Sequence, residues 1–326
     1  MLNRKSFLTI CLLIVMVSVL VAPAAMAQEG KKWVIGASLM NTQEPFYLDL
    51  EQGWRDAAED LGVEVLVTSA EMDIAAQINH VEDYIVKGVD AMILIPPDSA
   101  GIVPAVESAN AAGIPVFMAD IDTEGGETVS YIASDNYMGG VLAADAMNQL
   151  LGPEGGEVVI LGHPSVTSNY QRMLGFTDTV AKKYPNINVV QEYECQFARD
   201  DAIAKTEDAL VTYPNLKGIY GAFGGDAGMG ALAAVEAAGK QPGDIVIINF
   251  DAIPESREAI YNDNPFIKAD VAQFPYDIGY ESMKAAIAYL RGVEMPELME
   301  IEVGLVAKDN LVDVDGELKV LGHEVK

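Results

Sequence analysis

The chain has 326 residues, half of them hydrophobic, and 49 acidic side chains against 20 basic ones give a formal charge of −29. That length suits one large domain or two ordinary ones with real cores, and the apolar fraction excludes a disordered chain. So acidic a surface repels phosphate backbones and excludes nucleic acid as a partner, while fitting a well-solvated exterior.

The first 27 residues are set apart. Arg4 and Lys5 form a basic start, Phe7–Val21 an apolar run too short for a comfortable membrane span, and Ala25-Met26-Ala27 a cleavage site. These are the marks of a signal peptide that would direct the mature chain to the periplasm. Cys11 lies within the apolar run after a bulky Ile10, which does not suit a lipidated cysteine. Cys195 is then the one cysteine of the mature chain, so no intramolecular disulfide is expected and the fold rests on its core.

From Trp33 the rhythm is regular. Trp33–Leu39 is a strand, and Phe46, Leu50, Trp54, Ala57, Ala58 and Leu61 follow at helical spacing between Pro45 and Gly62. A strand at 63–69 precedes a helix capped by Asp73, with Ile74, Ile78, Val81 and Ile85 on one face. The apolar run 91–96 predicts a parallel strand buried on both sides, followed by a helix over 99–112 and a strand over 114–119. A second short strand, 128–133, leads through Ser134-Asp135-Asn136 into a new series.

That series predicts helices at 136–151, 168–183, 202–213, 227–238, 254–262 and 278–291. Strands fall at 157–161, 188–193, 216–223, 245–250 and 267–273, with a last one at 299–306 and a weakly patterned acidic tail from Lys308. Strands alternating with helices define an α/β chain with two doubly wound parallel-sheet lobes. A three-strand hinge is expected near Ala133, Gln273 and Glu302, with a ligand cleft between the lobes. The lobes would comprise 28–133 with 274–302, and 134–273 with 303–326.

Ligands of such sheets bind beyond the carboxyl ends of the strands. Those ends carry Ser38, Asn41 and Glu44-Pro45-Phe46-Tyr47, then Asp120 and Asp122, then His163 and the stretch Ser165 to Tyr170. Further on come Phe197-Ala198-Arg199, Gly224-Gly225-Asp226, Asp251 and Gln273. Aromatic faces cover the C–H side of a sugar ring and carboxylates accept its hydroxyls. Each residue also has a plainer reading: Phe46 and Tyr47 as core, and Asp120, Asp226 and Asp251 as turn or helix caps. No phosphate loop, HExxH or GxSxG motif is present, and one mature cysteine with three scattered histidines gives no metal site. No enzyme activity, cofactor or metal is expected.

With these residues in place, the chain resembles a periplasmic sugar-binding protein of the ribose/galactose type, the solute receptor of an ABC transporter. The resemblance spans about Trp33 to Asp309. It is carried by Pro45-Phe46-Tyr47, GIPV…D at 113–120, SYIASDNYMGG at 130–140, NFDAIPE at 249–255 and ADVAQFPYDIG at 269–279. It implies Phe46, Tyr47 and Phe197 as stacking aromatics, Asp120 as a sugar ligand, Asp251 and Gln273 as a hinge-proximal pair, and Ser38 at the end of the first strand. It departs where the ribose branch has arginines: Ile121 follows the Asp, and Tyr170 stands where a second Arg is expected, with Arg172 two residues on. Gly224 or Gly225 replaces an Asn.

Losing two guanidinium forks argues against ribose itself. The Asp-x-Asp of Asp120 and Asp122 is similar to that of members binding rhamnose-like sugars or autoinducer-2. A site richer in acceptors suits a polyol, a deoxysugar or a ligand bearing an amine. The resemblance implies a monomer that docks on an ABC permease, or on a chemoreceptor. The alternative is a sensing module of the same fold feeding a chemoreceptor or histidine kinase.

Overall fold

The computed structural model describes residues 32–314 and 317–320. The expected signal peptide, 1–27, lies outside them. In chain order come β1 (Val34–Leu39), α1 (Pro45–Leu61), β2 (Glu64–Ser69), α2 (Ile74–Lys87), β3 (Ala91–Leu94), α3 (Val103–Ala111), β4 (Val116–Ala119) and β5 (Ser130–Ser134). The second series is α4 (Asn136–Leu151), β6 (Gly156–Gly162), α5 (Thr167–Lys183), β7 (Ile187–Glu194), α6 (Arg199–Thr212), β8 (Leu216–Gly221), α7 (Gly225–Ala237), β9 (Val246–Phe250), α8 (Pro254–Tyr261) and β10 (Ile267–Ala272). The chain ends with α9 (Pro275–Leu290), β11 (Leu298–Ile301), β12 (Gly304–Val306), β13 (Leu311–Val314) and β14 (Glu317–Val320).

Two six-stranded sheets result, ordered β11-β5-β4-β3-β1-β2 and β12-β10-β9-β8-β6-β7. Numbered within each sheet in chain order, the two orders are the same. Every pairing in the first sheet is parallel, and in the second only β12 runs antiparallel, against β10. The chain passes from one sheet to the other after β5, after β10 and after β11.

Local chemistry sets the boundaries. Pro45 opens α1 and Gly62, at φ 70°, ends it in the left-handed conformation that glycine takes without strain. The Asp73 carboxylate accepts from the Ala75 and Ala76 amides, and Asp135 accepts from Met138. α3 begins at Val103, later than the helical spacing predicts, because Asp98–Ile102 forms a turn closed by Gly101 N–H to Asp98 Oδ1. α6 and α9 begin three residues early, with Asp200 and Asp201 at one helix's positive end and Pro275 opening the other.

Both sheets are covered on both sides. Trp54 on α1 packs with Ile287 on α9 over one face of the first sheet, while Val81 on α2 and Val106 on α3 cover the other. In the second sheet Phe176 on α5 lies in the cluster on one side, and Ala231 on α7 in that on the other. The run 299–306, read as one strand, is two: β11 joins the first sheet and β12 the second. The tail folds into the β13–β14 hairpin, with Leu311 buried and Arg257 donating to the Leu318 carbonyl at 2.6 Å.

Candidate functional site

Strained backbone marks the strand ends. Asp120 follows β4 at φ 59°, Asp251 and Ala252 follow β9 at 85° and 45°, and Phe197 sits beyond β7 at 40°. Such conformations in non-glycine residues persist only where neighbours over-determine them. Around Asp120, its amide donates to the Ile132 carbonyl at 2.9 Å and Tyr131 Oη donates to its own carbonyl at 2.7 Å. Around Asp251, the amide donates to the Val271 carbonyl, and buried Asp270 accepts from Ala252 N, Ser256 Oγ and Asn249 Nδ2. Burial pushes the Asp270 carboxyl up to about 7. A Cβ on Gly224 would lie 2.8 Å from Asp251 Oδ2, so glycine there leaves room for the carboxylate.

These turns open onto one narrow cavity between the lobes, of about 30 Å3. Phe46, Tyr47 and Asp120 line it from the first lobe, Arg172, Phe197 and Asp251 from the second, and Gln273 from the β10–α9 crossing. Tyr47 Oη lies 3.4 Å from Asp120 Oδ2, and Gln273 Nε2 donates to Asp251 Oδ1. Arg172 is buried with its Nε donating to Asn136 Oδ1 at 2.8 Å and Nη1 to the Ala222 carbonyl at 3.1 Å. Its guanidinium lies 3.9 Å over the Phe250 ring and 3.8 Å from Asp251 Oδ1. Phe46 and Tyr47 meet edge to face at 5.1 Å, and Phe197 and Phe223 at 5.9 Å.

Burial raises the Asp120 carboxyl to about 7, with Arg172 opposing and Asp251 and Glu44 reinforcing. Glu44 is raised by burial as well, against a hydrogen bond from Asn41. The cavity therefore joins three carboxylates and aromatic faces to one guanidinium and a few hydroxyl and amide groups. Among the described residues, no cluster of His, Cys, Asp and Glu has the arrangement of a metal site.

Five of the residues singled out from sequence lie elsewhere. Ser38, within β1, is fully buried beside Gln77 Nε2 and His80 Nδ1. Asn41 accepts from the Gln43 and Glu44 amides and donates to Glu44 Oε1, so it positions Glu44. Asp122 caps its own turn through Thr123 N, and its amide donates across the cleft to Thr167 Oγ1 at 3.2 Å. Tyr170 is 49% exposed, whereas Arg172 faces inward. Asp226 pairs with Arg199, which also binds Glu255, on the surface where α6, α7 and α8 begin. The cavity recruits instead Met40, Glu44, Ile121, Ser168, Asn169 and Phe223. Glu44, Ser168 and Asn169 stand in strand-end stretches visible in the sequence, but nothing in linear order distinguishes them from their neighbours.

A two-lobed α/β protein with an interlobe cavity of carboxylates, amides and aromatic rings is, by class, a solute-binding protein. Residues 35–294 match the family model of the periplasmic binding protein domain. The ribose import binding protein of Bacillus subtilis (strain 168) is 32% identical over 275 residues, covering 84% of this chain and 87% of that one. The D-apiose import binding protein of Actinobacillus succinogenes is 32% identical over 262 residues, 78% of this chain and 83% of its own. A solved ABC transporter solute-binding protein from Mycobacterium smegmatis, with bound glycerol, superposes with a TM-score of 0.80 at 29% identity. That match covers 89% of this chain and all of the other. The chain belongs to the periplasmic binding protein family, as a sugar-binding protein of the ribose type.

Proposed function

We propose that this protein is exported to the periplasm by its first 27 residues, captures a small sugar or polyol and hands it to an ABC permease by closing about three hinge crossings. The reading is carried by one observation: seven side chains from two lobes and a crossing line a single cavity, so a ligand touching them all favours the closed form. One chain supplies both walls, so a monomer suffices. The residues proposed to touch ligand are Phe46, Tyr47, Asp120, Phe197, Asp251 and Gln273, with Arg172 backing Asp251. The relatives named for ribose and D-apiose import, and the neighbour holding glycerol, support a small polyhydroxylated ligand. Ile121 in place of an arginine turns the reading away from ribose itself.

A thermal-shift screen over pentoses, hexoses, deoxysugars, polyols and autoinducer-2 tests the reading. A true ligand raises the melting temperature progressively with concentration, following RT ln(1 + [L]/Kd). No stabilisation by any class overturns it.

A further inference from the structure

Two fully buried side-chain atoms in the cavity are left unmatched, and both are acceptors. Asp120 and Gln273 are 4% and 6% exposed, yet Asp120 Oδ1 and Gln273 Oε1 have no hydrogen-bond partner. Among the described residues lining the cavity, these are the only buried side-chain polar atoms so placed, and both are acceptors. An unpaired acceptor buried this deeply is costly until a ligand donor reaches it.

The charges point the same way. Glu44, Asp120 and Asp251 line the cavity against one cation, Arg172. That cation is already engaged by Asn136, the Ala222 carbonyl and the Phe250 ring, and its near carboxylate is Asp251 of its own lobe. The facing wall, with Glu44 and Asp120, supplies no cationic side chain of its own, and Arg172 acts on Asp120 only from across the cavity. A hydroxyl brings one donor and no charge; an ammonium brings three donors and a full positive charge. Phe46 and Phe197 add faces that attract a cation.

We propose that the ligand is an amino sugar or amino polyol whose protonated amine donates to Asp120 Oδ1. This rests on the sugar-receptor reading and narrows its ligand class. The amine satisfies the orphaned carboxylate oxygen and offsets the excess negative charge, while hydroxyls on the same ligand serve Gln273 Oε1 and Glu44.

The test uses the purified mature protein, freed of carried-over ligand by unfolding and refolding, in calorimetric titrations near neutral pH. Matched pairs differ only by amine against hydroxyl: glucosamine and glucose, galactosamine and galactose, mannosamine and mannose, 1-amino-1-deoxysorbitol and sorbitol. At least one amine should bind tenfold or more tightly than its hydroxyl partner. That preference should shrink with added salt and be lost on N-acetylation, both read on the wild-type protein. Asp120→Asn should narrow the same gap. Hydroxyl partners binding as well as the amines in every pair that binds overturn the proposal and leave the receptor reading intact. Binding confined to neutral sugars outside these pairs does the same. No binding by any of these pairs overturns the proposal, and the receptor reading falls with it only if the wider thermal-shift screen is also negative.

Discussion

Asp120 is a residue on which burial and charge act in opposite directions. Burial lifts its carboxyl, Arg172 and the Tyr47 hydroxyl draw it down, and Asp251 and Glu44 add to the rise, which leaves it at about 7. The native state therefore keeps a proton between about pH 4 and about pH 7 that an unfolded carboxyl has already released. Its contribution to stability is present at low pH, falls as pH rises through that window, and stays lost above it. Asp120→Asn keeps the shape and removes the ionisation. Unfolding scans without ligand should show the variant gaining on wild type from pH 5 to pH 8. Parallel curves would mean that Asp120 does not titrate in that range. Asp120 was legible because an apolar strand ends on it. Tyr170 and Arg172 were not separable, because positions two apart on a helix point about 200° apart and only one can face the cleft. Asp226 was lost to Arg199 and Glu255, partners from two other helices that linear order does not bring near.

The helices are held by close backbone approach as much as by apolar stripes. On α1 and α9, a Cβ at Gly53 would meet the Tyr276 carbonyl oxygen at 2.2 Å, and one at Gly279 the Leu50 oxygen at 2.1 Å. The second lobe repeats the device: a Cβ at Gly140 of α4 would meet the Arg172 oxygen of α5, and one at Gly175 that of Tyr137, each at 2.1 Å. Gly140→Ala should thus separate α4 from α5 and destabilise by about 1–3 kcal/mol, the usual range for an overpacked core. Denaturant titration reads this directly, and an unchanged midpoint would show that the helices can move apart freely. Because Arg172 sits at that contact, ligand affinity should fall too. Periodicity revealed these helices in sequence, but not which glycines were contacts rather than breaks. It also fused β11 with β12, since a strand that changes sheets at Glu302–Val303 keeps its extended, apolar pattern throughout. The tail hairpin was missed because each strand is only four residues long.

At the scale of the whole molecule, two sheets of like order turn their carboxyl ends on one another, which the strand–helix alternation foretold. The dimensions of the cavity were not legible, because they come from contacts between segments far apart in the chain. One of these is the bond from the Asp122 amide to Thr167 Oγ1, made between the lobes and away from the cavity lining. If ligand capture works by hinge closure, this bond belongs to the closed form and is absent when the lobes part. Thr167→Ala should then weaken binding without removing any ligand contact. A single neutral hydrogen bond is worth about 1 kcal/mol, which corresponds to about a fivefold rise in Kd. The change should fall mainly on the off-rate, as a closed state less favoured releases ligand sooner. Thr167→Ser keeps the hydroxyl and should recover most of the affinity. Scattering adds the structural half: wild type should compact on saturation with ligand, and the Ala variant should compact less at the same ligand concentration. Equal off-rates for wild type, Ala and Ser, with compaction unchanged, would remove this bond from the closing equilibrium. No compaction in wild type would remove the hinge itself.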